Sequence, residues 1–419
     1  MSDMFIRTPE GVTDYLPREC AVKKEIESRI GTVFLKYGYN FIETPTFEYA
    51  ETFDGSSDAG LMYKFIDRDG AVLSLRPDIT PQAARAAAAH YGNDGVPIRF
   101  CYITNAFRYN ENYQGKLREF TQAGVELIGI KSDDADAEVV AVAINALLAA
   151  GLTNIRVDIG QVEFLKSVIA EAALSDAESK IIMDHILKRD FASVERFVAD
   201  RRMPSGIKDI LSNLCYCIGG REALTRCSAL TDTGRAAEAI AQIDDIYRIL
   251  AGYGLGQFVS FDLSMQGMLD YYTGVIFRVY TRGTGFSVID GGRYDKLCAA
   301  FGKRLPAVGC AIRINNITAA MEYNQTAIPA AKADTLVVYT AAGRDAALHT
   351  ADELRNCGLY IENSLIGGDL DVNIRYAESK NMNGLIFFED AEHILMVDLK
   401  ENKRTSLTGA ELLRQAAGV

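Results

Sequence analysis

Phe107-Arg-Tyr-Asn-Glu-Asn-Tyr-Gln-Gly115-Lys-Leu-Arg-Glu-Phe-Thr-Gln-Ala-Gly-Val-Glu126 is the stretch that fixes how the rest of the chain is read. It opens on Arg108, a permanent cation between Phe107 and Tyr109. A polar loop centred on Gly115 follows. The chain then returns with strict alternation. Phe120, Gln122, Gly124 and Glu126 fall on one face, and Thr121, Ala123, Val125 and Leu127 on the other. A period of two is the signature of a strand. Strand, polar loop, strand predicts a hairpin whose loop carries cationic and carboxamide groups over a pocket. Gln122 and Glu126 lie four apart on such a run, so they share one face.

The whole chain sets the bounds around this hairpin. It has 419 residues, enough for two or three domains, and its 48% apolar content supports a substantial core. No apolar run reaches the ~18 residues of a membrane span. The start, Met-Ser-Asp-Met-Phe-Ile-Arg, lacks a basic region followed by an apolar one, so no secretory signal is read and a cytoplasmic location is expected. The eight cysteines and four histidines are scattered. Only Cys215 and Cys217 lie close, at a spacing that suits neither a zinc knuckle nor a redox pair, so no metal and no cofactor are expected. Most of the thiols read as core fillers in a reducing compartment. Forty-four basic against 56 acidic residues give a net charge of −12, a balance that speaks against nucleic acid as a partner.

In chain order, residues 8 to 17 form a Pro- and Gly-bearing loop. Val22, Ile26, Ile30, Val33 and Phe34 recur at helical spacing, with Gly38 placed for a left-handed C-cap. Tyr39-Asn-Phe-Ile-Glu-Thr-Pro45 reads as a strand running into proline. Residues 71 to 77 form a further strand. After Asp78, Thr80 is placed as the N-cap of a helix with Pro81 in its first turn. Ser132-Asp-Asp-Ala-Asp136 starts an acidic helix that is apolar nearly all round up to Gly151. Ile155, Val157 and Ile159 alternate as a strand. From Gln161 to about Tyr253 the pattern is helical, broken near Asp176, Pro204 and Gly219-Gly220. Strands return between 261 and 295, bearing Leu269-Asp270-Tyr271-Tyr272-Thr273-Gly274 and Gly291-Gly-Arg-Tyr-Asp295. From Thr335 an alternation of strands and helices predicts a small mixed or parallel sheet. This last segment carries more acidic than basic residues.

The hairpin, the helix and strand ending at Pro45, Leu-Asp-Tyr-Tyr-Thr-Gly and Gly-Gly-Arg-Tyr-Asp together resemble the class II aminoacyl-tRNA synthetases, specifically the histidyl branch. The resemblance covers about residues 5 to 320, and the C-terminal segment more loosely. It implies an α+β fold: an antiparallel sheet flanked by helices over residues 1–325, with a helical insertion at about 161–255. A small anticodon-binding-like α/β domain over 333–419 follows. In that family the helix–strand unit ending at Pro45 builds a homodimer, and the arginine at the position of Arg108 grips the α-phosphate of an adenylate. Thr80, Gln122, Glu126, Tyr271 and Tyr272 match its histidine-binding positions. Asp78 stands where the family has a glutamate, so a histidine ligand would have Asp78 at its ammonium end and Arg108 at its carboxylate end.

Two of the family's three central arginines are missing. Gly267 stands at one position, and Asn316 at the other, in Arg313-Ile-Asn-Asn316. Arg313, one turn before Asn316, is the one residue that could substitute. Cations held where a triphosphate is attacked supply several kcal/mol of barrier lowering, so their loss dismantles adenylate chemistry while leaving the amino-acid pocket. That combination resembles the regulatory subunits of short-form ATP phosphoribosyltransferase, the first enzyme of histidine biosynthesis. The resemblance implies a non-catalytic subunit that binds L-histidine, no tRNA and no membrane. It also implies a larger hetero-oligomer with the short catalytic subunit. An active histidyl-tRNA synthetase and a stand-alone synthetase-like binding protein remain the alternatives.

Overall fold

The computed structural model describes residues 7–54, 59–91, 97–109, 117–231, 234–266, 272–326 and 333–417. The chain divides into two compact units, Met1–Ile328 and Pro329–Val419.

The first unit begins with helix α1 (Pro17–Lys36), which buries Ile26, Ile30 and Phe34 along one stripe and ends before Gly38, whose φ is 80°. The expected strand at Tyr39–Pro45 shrinks to β1 (Asn40–Phe41). Beyond it the chain is held by side chains instead of a ladder. Arg76 Nη1 donates to Thr44 O at 2.8 Å, and Gln82 Nε2 donates to Pro45 O at 2.8 Å. Strands β2 (Phe47–Tyr49), β3 (Lys64–Ile66) and β4 (Val72–Leu75) form a separate small sheet. Helix α2 (Thr80–His90) follows, then β5 (Ile98–Phe107) and β6 (Glu119–Ile128), the two arms of the expected hairpin.

Helix α3 (Asp133–Ala150) starts on Ser132, whose hydroxyl accepts from Ala135 N, and stops at Gly151 with φ 99°. It is buried nearly all round, as its composition predicts. Strand β7 (Ile155–Gln161) leads into helices α4 (Val162–Glu171), α5 (Asp176–Leu187), α6 (Phe191–Ala199) and α7 (Ser205–Ser212). A two-residue strand β8 (Ile218–Gly219), absent from the helical pattern, precedes α8 (Arg221–Ala229) and α9 (Gly234–Gly252). Strands β9 (Val259–Asp262), β10 (Val275–Thr281), β11 (Ile289–Arg293) and β12 (Ala307–Arg313) and helix α10 (Ile314–Tyr323) complete the unit.

The large sheet runs β1-β5-β6-β12-β11-β10-β7-β9-β8. Its middle, from β5 to β7, is antiparallel throughout, and the parallel pairs are β1–β5 and β7–β9. Ala123, Val125 and Leu127 send one face into a core shared with Ile26, Ile30 and Phe34 of α1 and with α3. The same core continues through Ile182, Val194, Leu211 and Ile243 of the inserted helices, so the insertion packs as part of this unit. On the opposite face, Ala83, Ala84 and Ala87 of α2 pack with Ile98, Phe100, Ile128 and Ala307 of the sheet and with Cys298 and Leu305. Beyond that patch the same face carries Gln122 and Glu126, with Ile276 in the Glu126 row.

Cys101, Cys298 and Cys310 are buried thiols, as core fillers should be. Cys217 does not follow that expectation. It forms a disulfide with Cys227, ten residues away, tying the segment before β8 to α8.

The second unit is a five-stranded sheet ordered β14 (Ile361–Asn363), β13 (Thr335–Tyr339), β15 (Gly384–Phe388), β16 (Ile394–Asp398), β17 (Lys403–Leu407). Its first three strands are parallel and the last two join antiparallel, so the sheet is mixed. Helices α11 (Arg344–Asn356), α12 (Leu370–Ser379) and α13 (Gly409–Ala417) flank it. Strand β17, Lys-Arg-Thr-Ser-Leu, escapes the sequence pattern because charged residues blunt an edge strand and remove the apolar alternation.

Candidate functional site

Glu126 is the centre of the polar face. Its carboxylate is fully buried. Oε1 accepts from Thr80 Oγ1 at 2.7 Å and from the Tyr102 hydroxyl at 3.3 Å, while Oε2 accepts from the Tyr294 hydroxyl. Four separate places in the chain deliver these groups: β6, the start of α2, β5 and the residue just after β11. Burial without a cation pushes the Glu126 carboxyl up to about 8; the three hydroxyl bonds oppose this and nearby Asp78 adds to it.

Gln122 extends the network. Its Nε2 donates to Asp78 Oδ1 at 2.8 Å and to the Tyr102 hydroxyl at 3.1 Å. Tyr102 therefore receives from Gln122 and gives to Glu126, and both its hydrogen-bonding roles are used. Asp78 Oδ1 also accepts from Ile79 N at 2.7 Å. The turn that carries Asp78 is bolted to the hairpin. Arg76 Nε donates to Asn105 O at 2.6 Å, and Phe107 N donates to Arg76 O at 2.9 Å.

Thr80 corrects one expectation. It is the first residue of α2, and Ile79 is the N-cap, with no side-chain cap bond. The hydroxyl that would have capped the helix reaches Glu126 instead. The helix begins one residue before the expected start, so Thr80 sits inside its first turn and not at the cap position, and its hydroxyl is free to donate to Glu126.

Glycines make the room. A Cβ on Gly309 would lie 1.8 Å from Glu126 Oε2, and one on Gly124 would lie 2.4 Å from the Tyr102 ring. Gly124 stands directly opposite Tyr102 in the β5–β6 register, and Gly309 directly opposite Glu126 in the β6–β12 register.

Tyr272, partly buried just before β10, packs against Val162, Met265 and Ile276. Burial raises its phenol well above the usual range, and the negative charges of Asp290, Asp78 and Glu126 push the same way, against Arg278. A Cβ on Gly292, in the Glu126 row of the sheet, would lie 2.9 Å from the Tyr272 ring. Arg108 lies at the rim, where its Nε donates to Pro77 O at 2.8 Å and its guanidinium sits 5.3 Å from the Phe120 ring centroid. Tyr271 and Gly267 lie outside the described residues.

The structure therefore brings together Asp78, Thr80, Gln122, Glu126 and Tyr272, with Arg108 beside the Asp78 turn. Tyr102 and Tyr294 are functional candidates that sequence reasoning missed. Tyr102 had a signal: a tyrosine facing a glycine across a hairpin marks a ring needing space. Tyr294 belongs to Gly-Gly-Arg-Tyr-Asp, whose other members are structural. Arg293 is buried with Asp136, Nη2 to Oδ1 at 2.6 Å, and also pairs Asp295 at 3.0 Å.

At the second lost-arginine position, Asn316 Nδ2 donates to Ser287 O at 3.0 Å. Arg313 is the last residue of β12, not a member of the α10 face, because the strand continues through it before the helix begins. Its Nη2 lies 3.0 Å from Asp290 Oδ2. Among the described residues, no group of His, Cys, Asp and Glu is arranged to hold a metal ion, and no helix is long and apolar enough to cross a membrane.

A site of buried carboxylates, a carboxamide and phenols suits a ligand rich in N–H donors with a cationic end. Comparison with known proteins gives this geometry its family. A model of the histidyl-tRNA synthetase family matches residues 11–317. The ATP phosphoribosyltransferase regulatory subunit of Acetivibrio thermocellus is 39% identical, over 99% of this chain and 100% of that one. Its counterpart in Ruminiclostridium cellulolyticum is 39% identical over 96% of this chain and 97% of its own. A crystal structure from Bacillus halodurans described as an ATP phosphoribosyltransferase regulatory subunit/histidyl-tRNA synthetase superposes with a TM-score of 0.82 at 30% identity, covering 93% of this chain and 99% of that one. Histidyl-tRNA synthetase from Nostoc sp. PCC 7120 shares the fold, with a TM-score of 0.82 at 19% identity over 98% of both chains. With a family model over most of its length and full-length relatives at 39% identity, the chain belongs to the ATP phosphoribosyltransferase regulatory subunits, within the histidyl-tRNA synthetase family.

Proposed function

We propose that this chain is a non-catalytic subunit that binds L-histidine on the Glu126 face and passes that signal to a short-form ATP phosphoribosyltransferase catalytic subunit, which needs it for activity. The observation that carries the reading is the buried Thr80–Glu126–Tyr102–Gln122–Asp78 network. Its acceptors can take an imidazole N–H and an ammonium together, with Tyr272 as a flanking ring and Arg108 toward the carboxylate. A ligand without those donors would leave buried polar atoms unpaired, which discriminates strongly. Feedback also requires that histidine favour one conformation or assembly over another. The test is Glu126→Ala in the assembled complex. Loss of calorimetric histidine affinity together with loss of inhibition is the expected result. Curves that overlay those of the unmodified complex would remove the site from the mechanism.

A homodimer is part of the same proposal. Tyr39 is buried in its own core, so the contact falls to Phe41, which is 49% exposed, and to Phe47, Tyr49 and Phe65 on the neighbouring small sheet, 55%, 53% and 41% exposed. Clustered exposed aromatics mark association surfaces. A monomer mass at micromolar concentration would count against it.

The retained amino-acid pocket favours one competing reading, an active histidyl-tRNA synthetase. Gly267 and Asn316 oppose it, since loss of one charge-stabilising contact typically costs ~10²–10³ in rate. Histidine-dependent ATP–pyrophosphate exchange at a synthetase's rate would establish the competing reading.

A further inference from the structure

The polar face of the sheet does not end at Glu126. Strand register places the next row along it. Gly124 of β6 faces Ala311 of β12, Ala311 faces Asp290 of β11, and Asp290 faces Arg278 of β10. Arg313, opposite Gln122, enters the same row from the side. Residues opposite one another on neighbouring strands point to the same face, so Asp290, Arg278 and Arg313 share the face of Gln122 and Glu126. The Asp290 row is one strand repeat, about 7 Å, from the Glu126 row.

Asp290 is the middle of this group. Arg313 Nη2 lies 3.0 Å from one carboxylate oxygen and Arg278 Nε 3.7 Å from the other. Ser287 Oγ donates to Oδ1 at 2.8 Å. The support extends further. Asn316 Nδ2 holds the Ser287 carbonyl at 3.0 Å, and Arg278 Nη2 donates to Gln266 O at 3.1 Å, next to the lost position Gly267. The asparagine that replaces a synthetase arginine is thus part of the scaffold beneath Asp290.

Two guanidiniums on the ligand face of a sheet are a ready receptor for a phosphate chain. Here a carboxylate already occupies them. We propose that Asp290 is a built-in counter-anion that holds Arg278 and Arg313 and thereby denies this face to phosphate-bearing ligands, restricting the site to a ligand that is cationic at its Glu126 end. Such specificity arises from a repulsive element placed against the wrong ligand. An approaching pyrophosphate would meet the Asp290 charge at close range and would have to break both ion pairs. The three side chains are only 20 to 30% exposed, so bulk water screens them incompletely.

The inference rests on the histidine reading only in taking this as the ligand face, and its test is independent of histidine. Inorganic pyrophosphate is titrated calorimetrically into the full chain and into Asp290→Ala, Asp290→Asn and the double variant Asp290→Ala/Arg313→Ala. The Asp290 variants should bind pyrophosphate about tenfold or more tighter than the unmodified chain, and the double variant should lose the gain. Asp290→Asn keeps the side-chain shape, so it supplies the answer if the alanine variant does not fold. An equal affinity in the folded Asp290→Asn chain and the unmodified chain would overturn the proposal, and so would a gain that survives removal of Arg313. A failed Glu126→Ala test, by contrast, would remove histidine as the ligand and leave the pyrophosphate result standing.

Discussion

Glu126 and Asp290 lie on one face of one sheet, in neighbouring rows and two strands apart, and are held in opposite ways. Glu126 is sealed from solvent and surrounded by hydroxyls. Asp290 is 22% exposed and flanked by guanidiniums. Neutral donors satisfy a carboxylate without cancelling its charge, so Glu126 keeps an unmet demand for a cation, expressed in its raised proton affinity. Two guanidiniums more than balance the charge, so Asp290 makes no demand for a ligand cation. The same side-chain chemistry makes one end of the face receptive and the other closed. The difference lies in which partners the fold delivers.

Breaking the buried, charge-cancelled counterpart should have the largest effect on stability. Arg293→Ala leaves Asp136 as an uncompensated carboxylate among apolar neighbours, and its carboxyl is already pushed up to about 6 by burial. A loss of about 3–5 kcal/mol is expected in denaturant unfolding. A cost under about 1 kcal/mol would show that a buried pair in this fold behaves like a surface one.

Gly309→Ala comes next. The new Cβ would meet Glu126 Oε2 at 1.8 Å and Val125 O at 2.7 Å, so the carboxylate or the strand must shift. Overpacking of this kind costs about 1–3 kcal/mol. Histidine affinity should fall with it, read by melting temperature and calorimetry on the same sample. Unchanged affinity would mean that the Glu126 position tolerates movement, which the site reading does not allow.

The pH dependence sharpens the contrast. The Glu126 carboxyl is raised from 4.5 to about 8 in the folded chain. Between those values the folded chain holds a proton that the unfolded chain has released. The contribution of this group to stability is therefore greatest below the lower value and falls as pH rises toward the upper one. Glu126→Gln cannot ionise, so it should remove that part of the slope between about pH 5 and pH 8. Parallel stability profiles for the two proteins would show that Glu126 is ionised throughout.

Smaller effects separate the two ends further. Tyr102→Phe removes one hydroxyl that links Gln122 to Glu126, and about 1–2 kcal/mol should be lost. Asp290→Asn should cost no more than about 1 kcal/mol, because its ion pairs are partly exposed. A larger cost for Asp290→Asn than for Tyr102→Phe would reverse the ranking of the two ends.

Much of this was legible in the chain. The alternation through Phe120–Leu127 placed Gln122 and Glu126 on one face and Ala123 and Val125 in the core, because the strand period is set by backbone geometry alone. Helix α3 was readable from its acidic start and its apolar body, and its stop at Gly151 from the left-handed conformation that glycine accepts cheaply. The absence of arginine at Asn316 was equally plain.

What the fold alone decided were the partners. Thr80 looked like a helix cap until Glu126, 46 residues later, was brought to its hydroxyl. Tyr294, distant in sequence, closes the same carboxylate. Arg313 read as a helix residue able to replace a lost cation, whereas β12 carries it to Asp290. Periodicity and caps depend on neighbours within a few residues, so a sequence displays them directly. Hydrogen bonds and ion pairs between strands depend on register and topology. The charge a site presents is settled only when those distant groups meet.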